Sequence, residues 1–450
     1  QTAGTFPYFR PLTTTVWRLV FLLFGELNST AFHAVNLILQ SLNGWLVGYL
    51  AGHLSAQSSR QRRWDVAWLS STLFPMYPFS FQAVPWAGSL SHLLVTTLLL
   101  SSLACFVIFY RRGGIGWAFL SLMFTFLAPF AHENGIMAFP LIFAYAWVQN
   151  RSEDAGFRLW RVLLWLLPLL LWLPVWFFAP KAKSDLVLNG PEAIMQNAAY
   201  FGQGIAYPFT WIGGWLRDRW GWNDLLTAVL LTLAAIIFLF YVKSAAQEKS
   251  AARRFAAWRM WLRSPWAFAW FWCLLTMLPA IFLLSFNYTI SAPRLLMVPG
   301  VGISWLWGCT FTQFWRWFRG TAVPQLNRRR MMAGLAGCLF LILVVGQNVR
   351  FVARFMHDHV LLGGVTNEAA AKVVAANENG RAAILINFPN EVRGHSTTYP
   401  LGHEGVLFLV DYLNEQDLID IQAGQQTDFA LLQYSDLRTN ERPYAYGLVV

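Results

Sequence analysis

The sequence predicts a mainly α, polytopic transmembrane helix bundle that ends in a small α/β domain. Three observations carry this. First, 56% of the 450 residues are hydrophobic and only 12% are charged, with a mean hydropathy of +0.44. Soluble chains carry about a quarter charged residues. Second, apolar runs close to the length a bilayer requires recur along the chain. Third, every second loop between these runs is basic.

The apolar runs lie at 31–54, 66–83, 90–110, 115–131, 135–149, 161–178, 225–242, 266–286, 294–312 and 332–349. The run 13–25 is shorter and contains Arg18, which predicts an interfacial helix rather than a span. Arg60, Arg62 and Arg63 follow the first span, Arg111 and Arg112 the third, and Arg151, Arg158 and Arg161 the fifth. Lys243, Lys249, Arg253 and Arg254 follow the seventh, and Arg316, Arg319 and Arg328 to Arg330 the ninth. The positive-inside rule makes these loops cytoplasmic. The remaining loops, including 179–224, and the tail then face outward. Tyr200, Phe201 and Tyr207 in loop 179–224 are expected to lie on the outer membrane face.

The net charge of +11 is accounted for by these loops and does not point to nucleic acid. The 24 tryptophans suit membrane–water boundaries, where an apolar ring and a polar N–H both find partners. Cys105, Cys273, Cys309 and Cys338 each sit in an apolar run without metal-ligand spacing, and read as packing residues. Near residue 350 the composition shifts. An Ala-rich helix at 366–378 and buried strands within 380–395 and 405–410 predict a small soluble α/β domain over 350–450, after a membrane domain over 1–349. There is no tetratricopeptide period, Walker loop, dinucleotide fingerprint or Gly-x-Ser-x-Gly.

The segment from Tyr8 to Asn43 is the most informative. It combines Tyr8-Phe9-Arg10-Pro11-Leu12-Thr13, an apolar run ending in Phe24-Gly25, and Phe32-His33-Ala34-Val35-Asn36-Leu37 at a helix start. It resembles the first-loop and second-helix signature of GT-C class integral membrane glycosyltransferases. Within that class it is most similar to protein O-mannosyltransferases and dolichyl-phosphate-mannose mannosyltransferase-like proteins (glycosyltransferase family 39-like). The resemblance is clear over about residues 8–150 and weaker near Arg294. In that family a helix and an acidic motif precede this segment. The chain begins at Gln1 without a methionine, so the resemblance implies that both, and with them the principal catalytic base, lie upstream of Gln1.

Candidate site residues follow from polarity near the membrane boundary and from the resemblance. Tyr8 and Arg10 open the signature; a guanidinium suits phosphate through its planar fork, or alternatively snorkels to headgroups. His132-Glu133-Asn134-Gly135 joins two spans where the family has Lys-Glu, which makes Glu133 an auxiliary carboxylate and His132 an altered partner. Trp86 to Leu94 resembles the family's Trp-x-x-Gly-Arg-x-Asp-Leu-Leu, with His92 in place of the acid; a satisfied structural histidine is the competing reading. Arg294 starts a span at the outward boundary, where positive charge is otherwise scarce. The lone His-Glu pair supplies too few ligands to indicate a metal, so no cofactor is expected.

The resemblance implies an inverting hexosyltransferase that uses a polyprenyl-phosphate sugar and a protein or glycolipid acceptor at the non-cytoplasmic face. The compact loops and plain cysteine usage favour a bacterial plasma membrane. A lipid-linked-sugar transporter or flippase, or a non-catalytic membrane scaffold with an extracytoplasmic binding domain, are the alternatives.

Overall fold

The computed structural model describes residues 9–25, 29–55, 60–149, 159–179, 188–245, 264–319 and 328–381, with shorter stretches between 383 and 449. It is mostly helical. Two units are distinguished: one comprises residues up to Val349 together with Tyr399–Gly402, the other Arg350–Thr398 and His403–Val450.

In the first unit, helices α1 (Pro11–Phe24), α2 (Ser29–Leu54), α3 (Arg60–Leu73), α4 (Leu90–Arg112) and α5 (Ile115–Ala131) are followed by α6 (Ala138–Gln149) and α7 (Leu167–Phe178). Then come α8 (Pro191–Ile205), α9 (Tyr207–Trp220), α10 (Asp224–Ala245), α11 (Pro265–Leu283), the short α12 (Phe286–Ser291) and α13 (Met297–Phe318). Helix α14 runs from Arg328 to Glu378, its residues up to Val349 belonging to this unit.

Among the described residues, six helical segments are long and apolar enough to cross a membrane: Ala87–Arg112, Arg161–Phe178, Asp224–Ser244, Trp266–Leu283, Pro293–Phe318 and Arg330–Glu378. Their exposed side chains include Leu170, Leu171, Leu230, Leu233, Ile342 and Leu343. Continuous apolar faces of this kind are at home against lipid rather than water.

The expected span at 66–83 is not one helix. Helix α3 ends at Leu73, and turns and two short 3-10 segments, Pro78–Ser80 and Ala87–Ser89, lead to α4. Pro75 and Pro78 lack the N–H an α-helix needs and disfavour helix in the residue before them. The irregular stretch is sheltered by protein: Phe74 and Tyr77 are buried, and the Tyr77 hydroxyl donates to the Gly204 carbonyl at 3.0 Å. Tyr200, Phe201 and Tyr207 are buried in the unit, on α8 and the start of α9.

Helix α13 is the axis of the first unit. Every residue from Leu295 to Phe314 is buried. Its tryptophans satisfy their N–H groups across helix boundaries: Trp305 donates to Val47 O at 3.0 Å and Trp307 to Ile205 O at 2.9 Å, while Trp272 of α11 donates to Val298 O at 2.8 Å. Helices α4 and α5 are joined by hydroxyls. Ser102 Oγ meets Thr125 Oγ1 at 2.7 Å, and Ser121 Oγ donates to Ser102 O at 2.9 Å and accepts from Trp165 Nε1 at 2.8 Å. Such interhelical bonds hold apolar helices in one register, because lipid offers no hydrophobic difference to do so. Residues Tyr399–Gly402 lie against α8: Gln203 donates to Leu401 O at 2.6 Å and accepts from Leu401 N at 2.9 Å.

The second unit contains the end of α14, strands β1 (Ala383–Ile386), β2 (Glu391–Arg393), β3 (Gly405–Leu407), β4 (Phe429–Leu432) and β5 (Leu448–Val449), and helix α15 (Glu415–Ala423). β1 pairs in parallel with β4 and β5, giving the order β4-β1-β5; β2 and β3 pair antiparallel, Val392 opposite Val406. Ala369, Ala370 and Val373 of α14 pack with Leu385, Phe388 and Ile419. Asn377 pairs with the Asp428 backbone through two bonds of 2.9 Å. Asp420 accepts from the Thr427 hydroxyl at 2.6 Å, which together with the Thr427 N–H and Gln416 holds its carboxyl below the usual range.

Candidate functional site

Four of the expected site residues meet at one end of the first unit. Arg10 is the last residue before α1, and Pro11 at the first helical position supplies the fixed φ that a helix start favours. This end of α1 is tied to the end of α5: Thr13 Oγ1 donates to Ala131 O at 3.1 Å, and the Phe9 and Phe130 rings meet edge-to-face at 6.2 Å. Arg10 thereby reaches Glu133, in the 3-10 turn Glu133–Met137 that joins α5 to α6. Its Nε lies 3.1 Å and its Nη2 2.7 Å from Glu133 Oε2, with a further 3.3 Å contact to Oε1. The side chains are 22% and 34% exposed, so the pair is neither a screened surface bridge nor a sealed one.

The turn is compact because His132 caps it. Its Nδ1 accepts the Asn134 N–H at 3.1 Å. An accepting Nδ1 carries no proton, so the neutral ring bears its proton on Nε2. Burial, then the positive charges of Arg10 and Arg294, lower the His132 pKa well below the usual histidine value. The 3.6 Å approach of Nδ1 to Glu133 Oε2 is therefore not an ion pair. Gly135 completes the turn: a Cβ there would fall on the backbone of Ala128 and Pro129 in α5.

His92, in the first turn of α4, packs its ring against His132 with centroids 4.3 Å apart. It is 3% exposed, and its Nδ1 has no partner among the described residues. Arg294 lies in the 3-10 turn Pro293–Leu296 that leads into α13. Its Nη1 donates to Gln82 Oε1 at 2.7 Å and its Nη2 to the Tyr288 hydroxyl at 3.0 Å. The guanidinium sits 4.7 Å from the Trp86 ring centre and 5.6 Å from that of Tyr288. Among the described residues its partners are neutral, so its charge stays available to an anion.

The geometry thus brings Arg10, His132, Glu133 and His92 into one contact chain, and Arg294 close enough for its charge to act on His132. Tyr8 lies outside the described residues. Gln82 has no signal in the sequence that would single it out, because only the fold places it under Arg294. Among the described residues no three His, Cys, Asp or Glu side chains are placed to hold a metal ion.

The neutral His132 makes stability pH-dependent. Its folded pKa lies below the unfolded value, so its contribution is complete above about pH 6.5 and is lost as pH falls, when the unfolded chain takes up a proton the folded ring refuses. The melting midpoint in micelles is expected to fall between pH 7 and pH 5 by less in His132→Asn than in the wild type. Asparagine keeps an accepting cap without a titrating ring. Parallel pH profiles would refute this.

Comparison with family models, with curated proteins and with solved structures gives no match to this chain.

Proposed function

We propose that the protein is a membrane glycosyltransferase that moves a sugar from a polyprenyl-phosphate donor to a protein or glycolipid acceptor. The observation that carries the reading is the convergence of two arginines, a carboxylate and two buried histidines beside helices long and apolar enough to span a bilayer. The resemblance in the sequence from Tyr8 to Asn43 supplies the reaction class.

The donor's lipid chain would lie in the bilayer with its phosphate at the membrane boundary. Arg294, braced by Gln82, Tyr288 and Trp86, is oriented before the ligand arrives, so little side-chain freedom is lost on binding. Its fork suits phosphate oxygens. In the reaction the acceptor oxygen attacks the anomeric carbon opposite the phosphate. The bond from that carbon to the phosphate oxygen breaks, the phosphate leaves with the electron pair, and a carboxylate takes the hydroxyl proton, with inversion of the anomeric centre. Arg294 stabilises the charge that grows on the leaving phosphate, while Arg10 holds Glu133 in place. Glu133, already engaged by Arg10, serves as an auxiliary carboxylate that orients the acceptor. The arginine distribution among the loops supports a site on the non-cytoplasmic face, with the residues after 350 as a small α/β domain on that side.

The test is sugar transfer from a polyprenyl-phosphate sugar by the full-length protein in nanodiscs. Arg294→Ala is expected to lower transfer by about a hundredfold or more, as loss of one charge-stabilising donor does elsewhere. Arg294→Lys should recover only part, since it restores the charge without the fork. Unchanged transfer in Arg294→Ala would remove this residue from the site.

A further inference from the structure

Helix α2 carries polar residues on one face, Asn36, Gln40 and Asn43, at the i, i+4 and i+7 spacing that stacks side chains in a line. All three are buried. The outer two hold the segment that enters α4. Asn36 Nδ2 donates to Val84 O at 2.9 Å, with Trp86 O at 3.4 Å. Asn43 Nδ2 donates to Leu93 O at 3.1 Å, and its Oδ1 accepts from Thr97 Oγ1 at 2.8 Å. Gln40 lies between them, so helix geometry turns it toward the stretch between Trp86 and Leu93.

That stretch holds a concentration of unspent polar atoms. Among the described residues, neither the Nε2 nor the Oε1 of Gln40 has a partner, and the same is true of Ser89 Oγ, Ser91 Oγ and His92 Nδ1. The four residues are 6%, 0%, 2% and 3% exposed. A buried polar atom left without a partner costs about 1–3 kcal/mol, so natural folds keep few of them. Here five such atoms fall on Gln40 of α2 and on Ser89, Ser91 and His92 at the start of α4.

We infer that this seam between α2 and α4 receives the sugar ring of the donor. The inference rests on the proposed glycosyl transfer and assigns the sugar-recognising half of that site. The seam's chemistry is uncharged and two-sided: an amide gives donors and acceptors, each serine hydroxyl gives both, and an imidazole nitrogen gives one. Sugar hydroxyls match such a set, whereas a phosphate would want cations. The cations lie next door. Trp86 joins the two halves, its ring against Arg294 and its carbonyl toward Asn36. His92 joins the seam to His132 and so to Glu133. A donor with its phosphate at Arg294 would extend its sugar toward Gln40 and Ser91.

The experiment compares two probes on the full-length protein in nanodiscs: a short-chain polyprenyl phosphate, and the same lipid phosphate carrying a hexose. Binding is read by ligand-dependent change in tryptophan fluorescence, and the ligand-free melting midpoint is read in parallel. The wild type is expected to bind the hexose-bearing lipid at least about tenfold more tightly. Gln40→Leu and Ser91→Ala are expected to bind the bare lipid phosphate as the wild type does and to lose most of that advantage. Gln40→Leu should also melt no lower than the wild type without ligand, because it removes two unsatisfied atoms at similar volume. A sugar advantage kept by both variants, or absent from the wild type, overturns the inference while leaving the phosphate site standing. Failure of the wild type to bind either lipid overturns both readings.

Discussion

Gly135→Ala is expected to destabilise the protein by about 3 kcal/mol or more, through overpacking against atoms that cannot move aside. The added carbon would meet the carbonyl of Ala128 and the nitrogen of Pro129, both backbone atoms of α5, not the flexible end of a side chain. The turn would have to move away from α5. That would pull Glu133 from Arg10 and break the bond from Gly135 N to His132 O, now 2.8 Å. Gly116→Ala is the internal control. Gly116 is an exposed position near the start of α5 with nothing within 4 Å of a new Cβ, where alanine should be neutral or stabilising by up to about 1 kcal/mol. The measurement is unfolding free energy in mixed micelles for the two variants and the wild type. A Gly135→Ala protein as stable as Gly116→Ala would show that the turn is not held against α5 as described.

The second large effect concerns the Arg10–Glu133 pair. Removing the carboxylate in Glu133→Ala deprives a partly buried guanidinium of its charged partner. The expected cost is about 1–3 kcal/mol, between the values for exposed and fully buried pairs. Arg10→Met should lose a similar amount. The double variant should lose clearly less than the two singles added, with a coupling energy of at least about 1 kcal/mol. Sugar transfer should fall in both single variants. Additive losses of stability would mean that the 2.7 Å contact contributes nothing measurable.

Some of this site was legible in the sequence, and the reasons are physical. Arg10, Glu133 and Arg294 stood out because an ionisable residue beside an apolar span is costly and rarely idle. The polar spacing of Asn36, Gln40 and Asn43 was not singled out, though helical periodicity left it open to view. Gln82 was not, because a glutamine in a proline-broken segment carries no pattern. The break at Leu73 could have been read from Pro75 and Pro78, but an apolar run around prolines suits a buried irregular segment as well as a kinked helix.

The class of molecule was readable from the chain alone: long apolar helices, the few charged residues near their ends, and a more polar stretch after residue 350. These follow from composition and period, which act over a few turns of chain. The partners were decided only by tertiary structure. Arg10 and Glu133 are 123 positions apart, and Arg294 and Gln82 212 apart. No local rule connects such residues. They meet because α1 is tied to the end of α5, and because α13, buried along its length, delivers Arg294 to the segment that begins α4. The unpaired amide of Gln40 is likewise a property of packing alone, since a helix pattern says which way a side chain faces but not whether anything waits for it there.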